Sequence, residues 1–426
     1  MERFLQDLKF AARVLSKDRG FAATVVLTLA VCIGANAAIF AIINCVLLRP
    51  LPIPEADHLV TLHNSYPRAG VERASTGVPD YYDRLRETDV FEELALYRRT
   101  GQTIGGETDP ERVTGMIARP SLFRMLRVTP YRGRIFNEDE GELGRNREVI
   151  LSYALWQQLF SGRDSAIGQQ LRISGVNHTI VGVLPQAFYF MDPDAKLWTP
   201  AAFTPEERSD DARHSNNWTM VGRLKVGTSV AVAQQQIDAL NAHNLERFPE
   251  LKQILINAGF HTVVAPLQQD LVREVRSTLL MLWAGVLFVL AIGAVNVTNL
   301  VLIRASARMR ELATRHALGA SLPRLTRYLM TETVLLTLSG GVLGLGIGYL
   351  ALTALGSVGL DALPRANEIR MNPQVIGFAM GLALLIGAVV GLAPVVRLSQ
   401  LNLGQAFRDE GPVSYTHLTL PTTPYV

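Results

Sequence analysis

Residues able to do chemistry are few and scattered in this 426-residue chain. It holds no His-Glu-x-x-His, no Gly-x-Ser-x-Gly and no Cys-x-x-Cys, so the zinc-protease helix, the serine nucleophile elbow and the dithiol redox pair are not expected. His58, His63, His178, His214, His243 and His261 form no pair at helix-face ligand spacing with a carboxylate between them, and read as surface or satisfied structural side chains. Glu138, Asp139, Glu140 and Glu142 could hold a cation, but Asn137 and Gly141 beside them favour a solvated acidic turn. Catalytic residues, metal and cofactor are therefore expected to be none. Because Gly-x-x-x-x-Gly-Lys-Ser/Thr is also missing, this is not read as an enzyme, and any ATP hydrolysis belongs to a partner.

Patterned charge sits instead in residues 304–327, where six arginines face a single acid, Glu311. Ala, Leu and Arg favour a helix there, and Gly319 followed by Pro323 supplies a stop. Met309, Leu312, Ala313 and His316 fall on one face, with Arg308, Glu311 and Arg315 on another. Such a helix either docks a cytoplasmic partner or lies on lipid; composition alone leaves both open. A second pattern is glycine at four-residue spacing: Gly340, Gly344 and Gly348, then Gly377 with Gly381 and Gly387 with Gly391. Small residues at that spacing let membrane helices approach closely, so the third and fourth spans are expected to pack on each other or on a partner subunit.

The elements that carry these patterns follow from composition. Hydrophobic residues make up 48% and charged residues 19%, below the roughly 25% usual for soluble domains, with a mean hydropathy of +0.19. Four uncharged stretches hold the surplus: 21–48, 277–303, 333–360 and 371–396, each longer than the ~20 residues that cross a bilayer. A signal peptide cleaved near Ala35-Asn36-Ala37 would also fit the start of the first, but its apolar run continues past that point, so an uncleaved span is favoured. Cys32 and Cys45, about 20 Å apart along that helix, are too far apart for a disulfide and read as apolar filler.

The net charge of +3 resolves into +2 on residues 1–20, +5 on 304–327 and −3 on 49–276, with Glu332 making up the balance. Short basic segments stay cytoplasmic, so both termini and the 304–327 loop are placed inside, and the 49–276 region outside, of the membrane. Nothing in this balance argues for nucleic acid, whereas the basic segments suit membrane lipids. Residues 1–20 pattern as an amphipathic helix on the inner leaflet.

In the outer region, 59–62, 148–151, 170–173, 179–183 and 219–224 read as strands, and 79–97, 152–160 and 229–248 as helices. The interruption at 163–170 suggests two subdomains. The expected architecture is an α-helical membrane protein with four transmembrane helices and a large mixed α+β extracytoplasmic domain between helices 1 and 2. Its segments are an inner helix 1–20, spans 21–48, 277–303, 328–360 and 371–396, the outer domain 49–276, an inner loop 304–327, an outer loop 361–370 and an inner tail 397–412.

Arg310-Glu311-Leu312-Ala313-Thr314-Arg315-His316-Ala317-Leu318-Gly319-Ala320-Ser321, leading to Glu332, resembles the cytoplasmic signature of FtsX-like ABC transporter permeases of the macrolide-exporter, MacB-like type, with His316 where an arginine is usual. Pro394, Arg397 and Gln405-Ala406-Phe407-Arg408 resemble that family's terminal pattern. Gly20-Phe21, 33–40, 47–52, Pro79-Asp80-Tyr81 and 133–139 resemble, more narrowly, the duplicated orphan permeases of acidobacteria. The resemblance implies a MacB-like periplasmic core domain outside. Inside, it implies a coupling helix seated on a separate ABC ATPase through Arg308, Glu311, Arg315 and Leu318. It also implies a homodimer or second permease half, an extracytoplasmic partner, and either export or mechanotransmission; a non-transporting scaffold or sensor that regulates an outer enzyme such as a cell-wall hydrolase is the alternative. Residues 413–426 share neither that pattern nor the preceding composition and resemble a translated adapter, so a fragment of a longer gene is expected.

Overall fold

The computed structural model describes residues 13, 15–105, 110–188, 190, 192, 194–308, 322–358 and 368–400. Most of the inner helix 1–20, most of the 304–327 and 361–370 loops, and the tail beyond 400 lie outside the described residues. The chain divides into two compact units, Met1–Leu48 with Arg276–Val426, and Arg49–Val275.

Four helices among the described residues are long and apolar enough to cross a membrane: Arg19–Leu48, Leu267–Ala307, Thr326–Leu355 and Pro373–Val396. The first is the most enclosed, with 56% of its most apolar window buried against 17% for the second, so the other spans gather around it. Hydrocarbon gives apolar helices no hydrophobic reason to associate, so close backbone contact and buried hydrogen bonds must hold them. Both are present. A Cβ added to Gly344 would lie 2.9 Å from the Ala30 carbonyl oxygen, one on Gly340 2.8 Å from Leu29 Cβ, and one on Gly348 3.0 Å from the Gly34 carbonyl oxygen. Gly34 itself faces the Gly344 carbonyl, 2.7 Å from where its Cβ would be. Buried Asn36 donates to the Cys32 carbonyl at 2.9 Å and across to Val286 of the second span at 3.1 Å, while Asn44 donates to Gln374 of the fourth at 3.0 Å.

The glycine stripe of the third span thus faces the first span, while Gly387 and Gly391 of the fourth span face Thr337 and Met330 of the third. Contact between the third and fourth runs through Gly341 against Ala383 and Gly391 against Met330. A Cβ added to Gly377 or Gly381 would meet nothing within 4 Å. Cys32 and Cys45 are buried and unbridged.

The outer unit carries β1 (Leu59–Tyr66), β2 (Val71–Ala74), β3 (Phe91–Ile104), β4 (Glu111–Ala118), β5 (Arg132–Gly133), β6 (Glu148–Leu151), β7 (Gln170–Ile173), β8 (Val176–Val183), β9 (Ala195–Pro200), β10 (Thr219–Leu224) and β11 (His261–Pro266). They form one sheet in the order β11-β1-β10-β3-β4-β9-β6-β8-β5, with β2 on β1 and β7 on β3 and β8. Among the described strands, only β4 with β9 and β6 with β8 run parallel. The turn near Asp164–Ala166 links strands of this continuous sheet, which carries separate apolar clusters around Trp198, Trp218 and Trp156.

The expected helix over 79–97 stops at Glu87, where Thr88 donates its hydroxyl back to the Arg84 carbonyl at 2.6 Å. From Phe91 the chain is strand, because Leu94 and Leu96 lie buried in pairing with β10. Ser152 and Ser229 cap the helices Tyr153–Phe160 and Val230–Arg247, accepting from Leu155 and Val232.

Gly344→Leu is expected to destabilise the membrane unit by about 1–3 kcal/mol through overpacking against the first span, whereas Gly381→Leu leaves it intact. Thermal unfolding of both variants in detergent checks this, and equal losses would contradict the assigned faces.

Candidate functional site

Of the four residues expected to contact an ATPase, Arg308 alone is described; Glu311, Arg315 and Leu318 lie outside the described residues. Arg308 sits one helical turn beyond Arg304, and both reach Glu332 of the third span. Arg304 Nη1 lies 2.9 Å and Arg308 Nη1 3.6 Å from Glu332 Oε1. Arg304 Nε is 3.4 Å from Asp18, and its guanidinium lies 4.2 Å above the Phe21 ring at the start of the first span. Arg304 therefore ties the ends of three spans together on both sides of the 309–321 segment. In sequence Arg304 is one arginine of a basic run and Glu332 the acid to which the signature leads; that the two pair comes from the fold alone. Their side chains are 11% and 9% exposed, so each charge depends on its partners.

In the outer unit buried charge serves structure. Fully buried Arg84 donates to Asn64, Thr262 and Thr76, while Arg213 donates to Asp83 at 2.7 Å and Asp80 at 3.2 Å. Burial opposes the Asp83 charge, but Arg213 and Arg86 outweigh it and hold the carboxyl below its ordinary range. Arg223 donates to the carbonyls of Met125, Glu55 and Pro54, fixing the entry of the chain into the sheet. The acidic turn is ion-paired rather than merely solvated: Glu138 lies 2.8 Å from Arg119 and from Arg124, Glu142 2.8 Å from Arg208, and Glu140 is bound by Arg134.

The helix Leu267–Ala307 begins inside this unit. Leu267 is buried in the sheet's core cluster, and both terminal nitrogens of Arg73 on β2 donate to the Asp270 carboxylate, itself 3% exposed. Asp270 was not singled out from the sequence, where it is one acid among many.

Four apolar spans, a large α/β unit between the first two, and a charged knot flanking the basic 309–321 stretch define a multi-pass membrane protein. Comparison with known families agrees: residues 22–240, just over half of the chain, match the MacB-like periplasmic core domain, and residues 283–403 match the FtsX-like permease C-terminal. The chain belongs to the MacB-like periplasmic core domain family, joined to an FtsX-like permease segment. It is 26% identical over 308 residues to the macrolide export ATP-binding/permease protein MacB of Bdellovibrio bacteriovorus, covering 68% of this chain and 43% of that protein. It is 25% identical over 282 residues to the uncharacterized ABC transporter permease YknZ of Bacillus subtilis, covering 65% of each. The chain thus spans less than two thirds of either relative. Among solved structures, the periplasmic region of MacB from Actinobacillus actinomycetemcomitans aligns with a TM-score of 0.37 at 12% identity, covering 52% of this chain and 94% of that one.

His63 on β1 is buried among these groups, and burial first, then the Arg73 charge, lowers its imidazole pKa to about 4. The unfolded ring takes a proton near pH 6.5 and the folded ring only near 4, so stability present above 6.5 is lost as the pH falls toward 4. Between pH 7 and 5.5 this ring costs the outer unit about 1 kcal/mol, and His63→Gln is expected to flatten that loss. Amide hydrogen exchange across β1 and β11 of the full chain checks it; the same pH dependence in both proteins would contradict it.

Proposed function

We propose that the chain is the permease subunit of an ABC-type transporter, taking up conformational work from a separate ATPase at its inner end and delivering it to the outer unit, in export or mechanotransmission. The observation that carries this reading is the Arg304–Arg308–Glu332 knot. It joins the second and third spans on either side of the 309–321 signature, so a push on that segment meets both helices together. The helix Leu267–Ala307 supports the second half of the reading, since its first turn is anchored in the outer core by Leu267 and Asp270.

In this reading both termini and the 304–327 loop face the cytoplasm of a bacterial inner membrane, and the large unit is extracytoplasmic. The ATPase subunit seats against Arg308, Glu311, Arg315 and Leu318, and a homodimer or a second permease half completes the pore-side assembly. The narrow resemblance to duplicated orphan permeases supports the second half lying in the same native chain. No step of bond-breaking chemistry is assigned to this chain.

Leu318→Asp and Glu311→Arg, which leave Arg304, Arg308 and Glu332 in place, are expected to reduce co-purification of an ABC ATPase from native membranes at least tenfold while leaving thermal stability unchanged. Undiminished recovery of the ATPase with both changes present would overturn the assignment of the coupling segment. Efflux from vesicles that contain both subunits separates export from regulation of an outer enzyme.

A further inference from the structure

The two stretches of chain that join the membrane unit to the outer unit are built differently. The second is one unbroken α-helix, Leu267–Ala307, whose 41 residues run straight through the boundary at Val275 and Arg276. An α-helix closes every turn with i→i+4 hydrogen bonds, so a displacement along its axis is carried with little loss of length. The first stretch is not continuous in this sense. Its α-helix ends at Ile43, and Asn44–Leu48 form a π-helical turn that reaches the boundary at Arg49. Hydrogen bonds in a π turn reach one residue further than in an α turn, so over the same height it holds an extra residue. Such single turns inside α-helices are uncommon and concentrate at functional positions.

Both sides of this turn are held. On the membrane side Asn44 donates from Nδ2 to Gln374 of the fourth span at 3.0 Å, and Asn44, Cys45 and Val46 are buried. On the outer side Leu51 is buried in the core cluster of the sheet, and Arg223 donates to the carbonyls of Pro54 and Glu55 at 2.9 and 3.1 Å. Pro50, Pro52 and Pro54 have no N–H with which to carry a helix onward, so the turn cannot spread past the boundary. Between the two holds lies one further bond. Gln268, in the first turn of Leu267–Ala307, donates from Nε2 to the Arg49 carbonyl at 3.1 Å. The stiff helix therefore grips the other stretch at the residue that follows the π turn.

We propose that Asn44–Leu48 is a yielding joint: when Leu267–Ala307 moves and draws on Arg49 through Gln268, the π turn closes to an α turn and passes one residue into the proline segment. That residue adds about 3.5 Å of reach at most, which sets the size of the movement. Asn44 and the spans behind it stay where they are. The proposal rests on the reading of the chain as a mechanically coupled permease, and names the element that gives way while the second helix transmits.

The test deletes Val46, which leaves an α turn between the same two holds with no residue to release. The full chain, unaltered or with the deletion, is reconstituted with the ABC ATPase that co-purifies from native membranes, and amide hydrogen exchange is followed with and without a non-hydrolysable ATP analogue. The deletion chain is expected to fold, to unfold at a temperature no lower than the unaltered chain, and to retain the ATPase, but to lose the nucleotide response of β2 and β11. In the unaltered chain, nucleotide is expected to change exchange at residues 45–48 and to leave the interior of the second helix, residues 280–290, unchanged. A deletion chain that keeps the full response would overturn the proposal. So would one that cannot fold, since the α turn must be an accessible state, and so would exchange at 45–48 that is indifferent to nucleotide while the outer unit responds. An outer unit that never responds in the unaltered chain, with the ATPase bound, would instead overturn the coupling reading itself and the joint with it.

Discussion

Close approach of two backbones, Gly34 of the first span and Gly344 of the third, is the contact on which the membrane unit depends. Lipid tails are as apolar as leucine side chains, so burying a leucine between helices gains little in a bilayer. What remains is van der Waals contact at short range and hydrogen bonds that have no water to compete with them. The first span supplies both, with a small-residue face toward the third span and Asn36 and Asn44 reaching the second and fourth. A side chain of any size at Gly344 would press on the Ala30 carbonyl, and the first span cannot move away without loosening its bonds to the other two.

That fixed core leaves the ends of the helices to carry charge. At one end, Arg304 brings the first, second and third spans to one point through Asp18, Phe21 and Glu332. With Arg304 11% and Glu332 9% exposed, this point is buried and not fully hydrogen-bonded among the described residues. In the outer unit the opposite holds. Arg84, Arg213 and Arg223 are buried with several oxygens each, which fixes the sheet, the helix Val78–Glu87 and the entering chain as one body. Asp270 is held in the same unit by Arg73 of β2.

The spans were legible because a run of more than twenty uncharged residues has few other uses, and strands such as Glu148–Leu151 and Gln170–Ile173 because their apolar residues cluster or alternate. Which helix a glycine stripe faces was not legible, since the pattern marks a close approach without naming the partner: Gly340, Gly344 and Gly348 meet the first span, and a Cβ on Gly377 or Gly381 would meet nothing within 4 Å. Strand β3 was hidden behind helix-forming residues 79–87, and only the Thr88 hydroxyl and pairing with β10 end the helix there. The single sheet was hidden because β3 pairs with β10 over a separation of more than a hundred residues, which no local window reports. Arg304 and Asp270 look ordinary in sequence. Their importance comes from burial, which only the fold confers.

The central claim is that work applied at the inner segment reaches the outer sheet through the second span. Amide hydrogen exchange of the chain reconstituted with its ATPase, with and without a non-hydrolysable ATP analogue, tests it most directly. The account predicts that nucleotide alters exchange in β2 and β11 and in the first turns of Leu267–Ala307, and that Asp270→Asn abolishes this change without releasing the ATPase. Exchange in the outer unit that is indifferent to nucleotide while the ATPase stays bound and cycles would contradict it.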